Sequence, residues 1–383
     1  MQQMKRILAI CNTPFQVIVV ARLREIYYVN DHFDVLMSDQ MVGYQDLVRH
    51  AEETLFFTSV QGIQTKAFVF EKRRNDGLTR VRNVLDFVKR EQILRAYYGG
   101  SLHYDEILAF NIDRFTELLF ECIVHHVPDV SVSLFEEGAP CYQHFSIAYT
   151  SSRDRWMNRS LAGKIVDICL NRHYIFQAMK RVYAFIPEML KDTFPFEMIR
   201  IPPLRVNESR FNNLLFHIFS YNEEQDAYDA KVVVFEECFN QDREVMDYGT
   251  LLRSFVHAVG KNNIIVKKHP RSQSTYFENE HFRVNSTQSI PWELIVLKHP
   301  ELSNIVWASL CSGSMICPYY YENLHYQCVS LIGIAQIAAT PKQEEYFRFV
   351  KEKLLDPHPE VFFQPSSEEQ LLAWLNDRFS EKE

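Results

Sequence analysis

The stretch Lys5-Arg6-Ile7-Leu8-Ala9-Ile10-Cys11, followed by Asn12-Thr13-Pro14 and then Phe15-Gln16, decides the fold class. A short apolar run without alternation is what a parallel strand buried on both faces requires. Asn12-Thr13-Pro14 ends the run, and an apolar pattern of helical period continues to about Tyr28. Working outward, the same pair of signals recurs. Residues 33–37, 65–70, 106–110 and 130–135 read as strands, with helical segments at 44–52, 78–91 and 113–125 between them. Strands alternating with helices imply a parallel sheet covered by helices on both faces.

The pattern loosens over residues 151–196, which read as a polar loop to residue 159, a long helical segment and a strand at 181–186. Ile201-Pro202-Pro203-Leu204 and the polar residues 222–229 read as the linker between two lobes. Alternation then resumes, with strands at 231–235, 263–267, 305–310 and 329–334. Helices are expected over 247–259 and from 292, and a last amphipathic helix over 367–378 carries Ser367 as N-cap and Glu368 and Glu369 in its first turn. The expected division is an N-terminal lobe of residues 1–200, a C-terminal lobe of 205–365 and a terminal helix within 366–383. A chain of 383 residues exceeds what one hydrophobic core usually serves, which agrees with two Rossmann-like α/β lobes, each with a parallel sheet.

Lys and Arg total 41 against 49 Asp and Glu, a net charge of −8 that argues against nucleic acid as a partner. The apolar run after Arg6 is too short for a secretory signal, and nothing reaches the roughly 18–20 apolar residues of a membrane-spanning helix. The eight cysteines form no C-x-x-C pair and lie mostly in apolar segments, so they read as reduced core residues of a cytoplasmic protein.

Ligands of such sheets bind at the carboxyl ends of the strands, which directs attention to the residues that follow each strand. Glu136-Glu137-Gly138 follows the strand ending at Phe135. The glycine suits a positive φ that turns the chain, and either carboxylate is a candidate general base, although a polar turn explains the triplet equally well. Lys267-Lys268-His269-Pro270 follows the apolar segment 263–266. Proline holds His269 extended, and the neighbouring cations with Arg271 point to an anionic ligand. Those cations lower the histidine pKa and a bound phosphate raises it. His-Pro recurs at His299 and His358, but only His269 follows a clean strand. Ser312-Gly313-Ser314, after the strand at 305–310, suits a phosphate cradle without the lysine of a Walker loop. Pro291-Trp292-Glu293 is a helix start with proline at N1, whose acid could take the hydroxyls of a ribose.

These motifs, with Thr13-Pro14-Phe15-Gln16, resemble the bacterial sialyltransferases of glycosyltransferase family 52, and next the bacterial polysialyltransferases. Glu136-Glu137-Gly138 matches the family's acidic-acidic-glycine motif, His269-Pro270 its His-Pro motif, and Pro291-Trp292-Glu293 its P-x-E element. Ser312-Gly313-Ser314 matches the Ser-Ser/Thr motif with a glycine interposed. The resemblance implies a GT-B fold whose lobes face a central cleft, the first binding acceptor and the second binding donor. It implies inverting, metal-independent transfer of sialic acid from CMP-sialic acid to a glycan hydroxyl, as in lipooligosaccharide or capsule synthesis, with no cofactor. It places the base at Glu137 or Glu136, or at an acid after the second lobe's first strand, Asp242 or Glu237. It gives His269 the departing CMP, with Lys268, Pro270, Glu293, Ser312, Gly313 and Ser314 around the nucleotide. Thr13, Pro14, Gln16 and Gly138 fall to the acceptor side. One phosphate leaves with about one unit of charge, which a histidine and a few N–H donors can stabilise. Alternatives are a UDP-hexose transferase on the same scaffold and a non-catalytic nucleotide- or glycan-binding relative. Peripheral association with the inner face of the cell membrane and a homodimer complete the expected partners.

Overall fold

The computed structural model describes residues 4–66, 87–110, 112–158, 160–190, 195–221, 228–237, 248–285, 289–310, 315–322, 324–335 and 340–380. Two compact units divide the chain. One holds Met1–Glu137, Cys141–Pro202 and His217–Phe219, and the other holds Gly138–Pro140, Pro203–Phe216 and Ser220–Glu383. The break between Pro202 and Pro203 falls inside the expected linker, and the C-terminal helix Glu368–Phe379 belongs to the second unit.

In the first unit, strands β1 (Arg6–Cys11), β2 (His32–Ser38), β3 (Ser59–Ile63), β4 (Glu106–Ala109), β5 (Ser131–Phe135), β6 (Met179–Ala184) and β7 (Glu197–Arg200) form one sheet in the order β3-β2-β1-β4-β5-β6-β7. Every pairing is parallel. Ile7 to Cys11 are at most 2% exposed, as a central strand covered on both faces requires. The helix Pro14–Ile26 then starts with Thr13 as N-cap and proline in its first turn.

The second unit repeats this plan with β8 (Val232–Phe235), β9 (Ile264–Lys267), β10 (Arg283–Val284), β11 (Val306–Ser309), β12 (Gln327–Ser330) and β13 (Phe362–Phe363). They pair in parallel in the order β10-β9-β8-β11-β12-β13. In both sheets the first strand lies inside the sheet and the order reverses beside it, between β1 and β4 and between β8 and β11. The carboxyl ends of those strands are where a doubly wound sheet opens a crevice. Trp307 on β11 is fully buried and meets Trp292 edge-on at 5.3 Å, and Trp292 meets Phe235 of β8 at 5.0 Å. This aromatic cluster fixes the helix Trp292–Lys298 over the sheet.

Several elements differ from the sequence reading. A strand precedes the expected 65–70, at Ser59–Ile63, and the two described residues of that span are not in a strand: the Thr65 and Lys66 N–H groups donate to Asp39 Oδ1 at 2.7 and 3.0 Å. Residues 67–70 and most of the expected helix 78–91 lie outside the described residues. The polar residues 151–157 continue the helix Pro140–Met157, since nothing in them breaks a helix. Pro291 is the N-cap of its helix, one position earlier than the expected N1. Among the described residues, no helix is long and apolar enough to cross a membrane.

Candidate active site

At the end of β5, Gly138 has a φ of +108°, the conformation for which a glycine was expected there. The two acids before it have different surroundings. Glu136 is fully buried, and its Oε2 accepts the Phe185 N–H at 2.6 Å and the Tyr142 hydroxyl. Its own N–H donates to Tyr183 O at 2.9 Å. Glu136 therefore ties the end of β5 to the end of β6. Glu137 is half-buried. Its charge reaches the Cys11 thiol at the end of β1, whose pKa is raised by burial first and by Glu137 second. Tyr142, which also accepts the Ile186 N–H at 3.0 Å, was not singled out in the sequence, because only the tertiary turn brings it to Glu136.

Thr13 and Gln16 are engaged in starting their helix. The Gln16 N–H donates to Thr13 Oγ1 at 3.4 Å, and the Asn12 N–H donates to Gln16 Oε1 at 2.5 Å. Gln16 is fully buried, and Pro14 occupies the first turn.

In the second unit the adjacent acids after β8 bind its two neighbouring strands. Glu236, 6% exposed, accepts the His269 N–H at 3.1 Å and the Ser272 hydroxyl at 2.7 Å, both just beyond β9. Glu237 Oε1 accepts the Ser309 hydroxyl at 2.7 Å and the Leu310 N–H at 3.2 Å, at the end of β11. Successive residues leaving a strand face opposite ways, so one carboxylate serves each side. The pair spans the point where the strand order reverses.

Glu236 thus fixes the backbone of the His-Pro turn. His269 Nδ1 accepts the Arg271 N–H at 3.1 Å, which leaves the proton of a neutral imidazole on Nε2. Burial, then Arg271 and Lys267, push its pKa down to about 4. The ring is therefore neutral at pH 7 before an anion arrives, in the direction expected from the neighbouring cations, with burial as the larger cause. Lys268 is largely buried and its Nζ donates to Ser274 O at 2.5 Å and to Glu278 at 2.8 Å, so its ammonium braces the loop. Lys267 Nζ donates to Asn285 Oδ1 at 3.4 Å, and Asn285 donates in turn to the Tyr228 hydroxyl.

Glu293 is buried, and its pKa is raised by burial to about 7, with Lys267 opposing. Its carboxyl can hold a proton near neutrality and donate as well as accept. Asp242, Ser312, Gly313 and Ser314 lie outside the described residues. Among the described residues, no group of three or more His, Cys, Asp or Glu is placed to hold a metal ion.

Two doubly wound parallel sheets and a family model that matches most of the chain make it a GT-B glycosyltransferase acting on nucleotide-sugar donors. The chain belongs to the alpha-2,8-polysialyltransferase family, whose model matches residues 7–329. This bears out the resemblance on which the motifs were read. Comparison with curated proteins finds no match. Among solved structures, the chain is similar to an alpha/beta-galactoside alpha-2,3-sialyltransferase from Photobacterium phosphoreum. Identity is 8%, coverage 95% of this chain and 99% of the other, and the TM-score 0.49. It is also similar to a UDP-glucosyltransferase from Polygonum tinctorium, at 11% identity, 99% and 94% coverage and a TM-score of 0.45.

Proposed function

We propose that the protein transfers sialic acid from CMP-sialic acid to a hydroxyl of a glycan acceptor, with inversion and without a metal ion. The observation that supports this best is the His269 turn, in a chain of the polysialyltransferase family. Glu137 takes the proton of the acceptor hydroxyl, whose oxygen attacks the anomeric carbon. The bond from that carbon to the phosphate oxygen breaks, and its electron pair leaves on CMP. His269 presents Nε2–H to the departing phosphate, whose charge draws the imidazole pKa up from about 4. Glu293 takes the ribose hydroxyls, and the serines of 312–314 contribute to the phosphate cradle.

Glu137 is preferred to Glu136 as base because Glu136 is fully buried and holds the ends of two strands together. Glu237 is set aside for the same kind of reason. The cytoplasm, where free cysteines remain reduced, is the compartment that suits the six free cysteines among the described residues.

The test compares nucleotide release from CMP-sialic acid and from UDP-sugars in EDTA, with and without lactose-type and oligosialic acid acceptors. CMP release that an acceptor stimulates, that EDTA leaves intact and that His269→Ala abolishes is the expected result. Release of UDP alone would transfer the protein to the UDP-hexose branch. CMP binding with no release from any donor and acceptor would argue for a non-catalytic relative.

A further inference from the structure

All strands of the second unit run parallel, so its sheet has two unlike edges. The His269 turn and the acids Glu236 and Glu237 follow the carboxyl ends of β9 and β8. A cavity of about 530 Å³ opens at the amino ends instead. Its lining includes Asn304 ahead of β11, Tyr326 and Gln327 where β12 begins, His358 ahead of β13, and Arg378 near the end of the helix Glu368–Phe379. The length of β11 alone puts roughly 10 Å between the two edges. The volume falls within the range of roughly 300–1,000 Å³ that small-molecule sites occupy.

Three buried polar atoms of this lining have no hydrogen-bond partner among the described residues: the Tyr326 hydroxyl, Gln327 Oε1 and Arg378 Nε. Tyr326 is 4% exposed, and its ring centre lies 4.4 Å from that of Trp307, which holds the hydroxyl in place. Folded proteins pair nearly all their buried donors and acceptors, so three orphans around one cavity call for a common partner. The Arg378 guanidinium reaches only a carbonyl, Asn304 O at 3.5 Å, and no acid among the described residues pairs with it. Burial lowers its pKa with no carboxylate opposing. Glu360, the acid of the lining, is engaged with His358 Nδ1 at 3.1 Å.

These groups specify the chemistry of the missing partner. A guanidinium without an acid takes a carboxylate or phosphate through its forked N–H groups. Gln327 Oε1 accepts only, so it needs a donor, and the Tyr326 hydroxyl can donate or accept. Water would satisfy the two neutral groups but would leave the Arg378 charge uncompensated. An anion that carries hydroxyls meets all three. We propose that this cavity binds a small hydroxylated anion, a sugar acid or a sugar phosphate, with Arg378 on the anionic group and Gln327 and Tyr326 on the hydroxyls. The site is separate from the His269 turn and does not depend on which donor the enzyme uses, so the two readings fail independently.

The test is calorimetric titration of the full-length protein with N-acetylneuraminic acid, glucose-6-phosphate, inorganic phosphate and the neutral sugar N-acetylmannosamine. Saturable binding of the sugar acid or the sugar phosphate is expected, and the tighter of the two identifies the source. Arg378→Ala should weaken that binding roughly tenfold or more, because a charged hydrogen-bonding group is lost. Arg378→Lys keeps the charge and the apolar stem without the fork, so it should lie between Arg378→Ala and wild type. Gln327→Leu should weaken the hydroxylated probes, and His269→Ala should bind as wild type does. No saturable binding of either sugar anion, or equal affinity in wild type and both Arg378 variants, would overturn the proposal. So would loss of the binding in His269→Ala, which would place the ligand at the carboxyl edge. Binding of the neutral sugar or of inorganic phosphate as tight as that of the sugar anions would refute it as well.

Discussion

Replacing Glu236 by alanine removes the acceptor that holds the His-Pro turn in place. Two donors lose their partner at once, the His269 N–H at 3.1 Å and the Ser272 hydroxyl at 2.7 Å. A hydrogen bond to a charged group contributes about 1.5–3 kcal/mol, so the gross loss is roughly 3–6 kcal/mol. Part of it is returned, since burial raises the Glu236 pKa and its ionised form carries a desolvation cost in the folded protein. A net loss of about 2–4 kcal/mol is expected. The same change releases the backbone that aims the imidazole, and a misplacement of about 1 Å at a reacting group can lower turnover ~100-fold. Turnover in the CMP-release assay should therefore fall by that order, with acceptor KM little changed. Glu236→Gln, which keeps one acceptor oxygen, should recover part of both losses. Urea unfolding followed by tryptophan fluorescence reports mainly on the second unit, because Trp292, Trp307 and Trp374 lie in it and only Trp156 lies in the first. An alanine variant within about 0.5 kcal/mol of wild type and with unchanged turnover would refute the reasoning.

Three further outcomes follow from the same geometry. Glu137→Gln should lower transfer by ~10²–10⁴ with little change in stability, and Glu136→Gln should mainly lower the melting temperature; activity and unfolding assays on both variants separate these roles. Binding of CMP should take up a proton at His269, because the pKa of about 4 rises when the phosphate arrives, so affinity strengthens as pH falls from 7 towards 5. Calorimetry in buffers of different ionisation enthalpy measures that uptake, and His269→Ala should reduce it; equal uptake in both proteins would exclude the histidine as its source. Glu293 has its folded pKa raised from 4.5 to about 7, so its contribution is fully present below pH 4.5 and is lost as pH rises through 7. The stability of Glu293→Gln relative to wild type should accordingly grow by about 3 kcal/mol between pH 4.5 and pH 8, and a pH-independent difference in urea unfolding would contradict the burial argument.

What could be read from the sequence was set by how much each element depends on its own residues. β1, β8, β9 and β11 are short apolar runs covered on both faces, so composition alone marks them. β3 is Ser59-Val60-Gln61-Gly62-Ile63 at the edge of its sheet, where one neighbour suffices and polar residues are tolerated, so no apolar run announces it. β10 and β13, two residues each, exist only through their pairing with β9 and β12. His269 stood out because it follows a clean strand, whereas its support by Glu236 is a tertiary fact across 33 residues of chain. Tyr142 and Asn285 were invisible for the same reason.

The resting state of His269 bears on the role proposed for it at a leaving phosphate. A cationic ring held permanently beside Lys267 and Arg271 would cost the fold energy whether or not substrate were bound. Burial and those cations keep the ring neutral instead, and the Arg271 N–H on Nδ1 fixes its remaining proton on Nε2. In the proposed reaction the arriving phosphate then supplies the charge that makes protonation favourable, and the negative charge that grows as the sugar–oxygen bond breaks favours it further. Interactions that strengthen along the reaction accelerate it, while those equally strong at the start do not. A lowered histidine pKa is for that reason compatible with the proposed role, provided the ring stays pinned, and the pin is the Glu236 carboxylate.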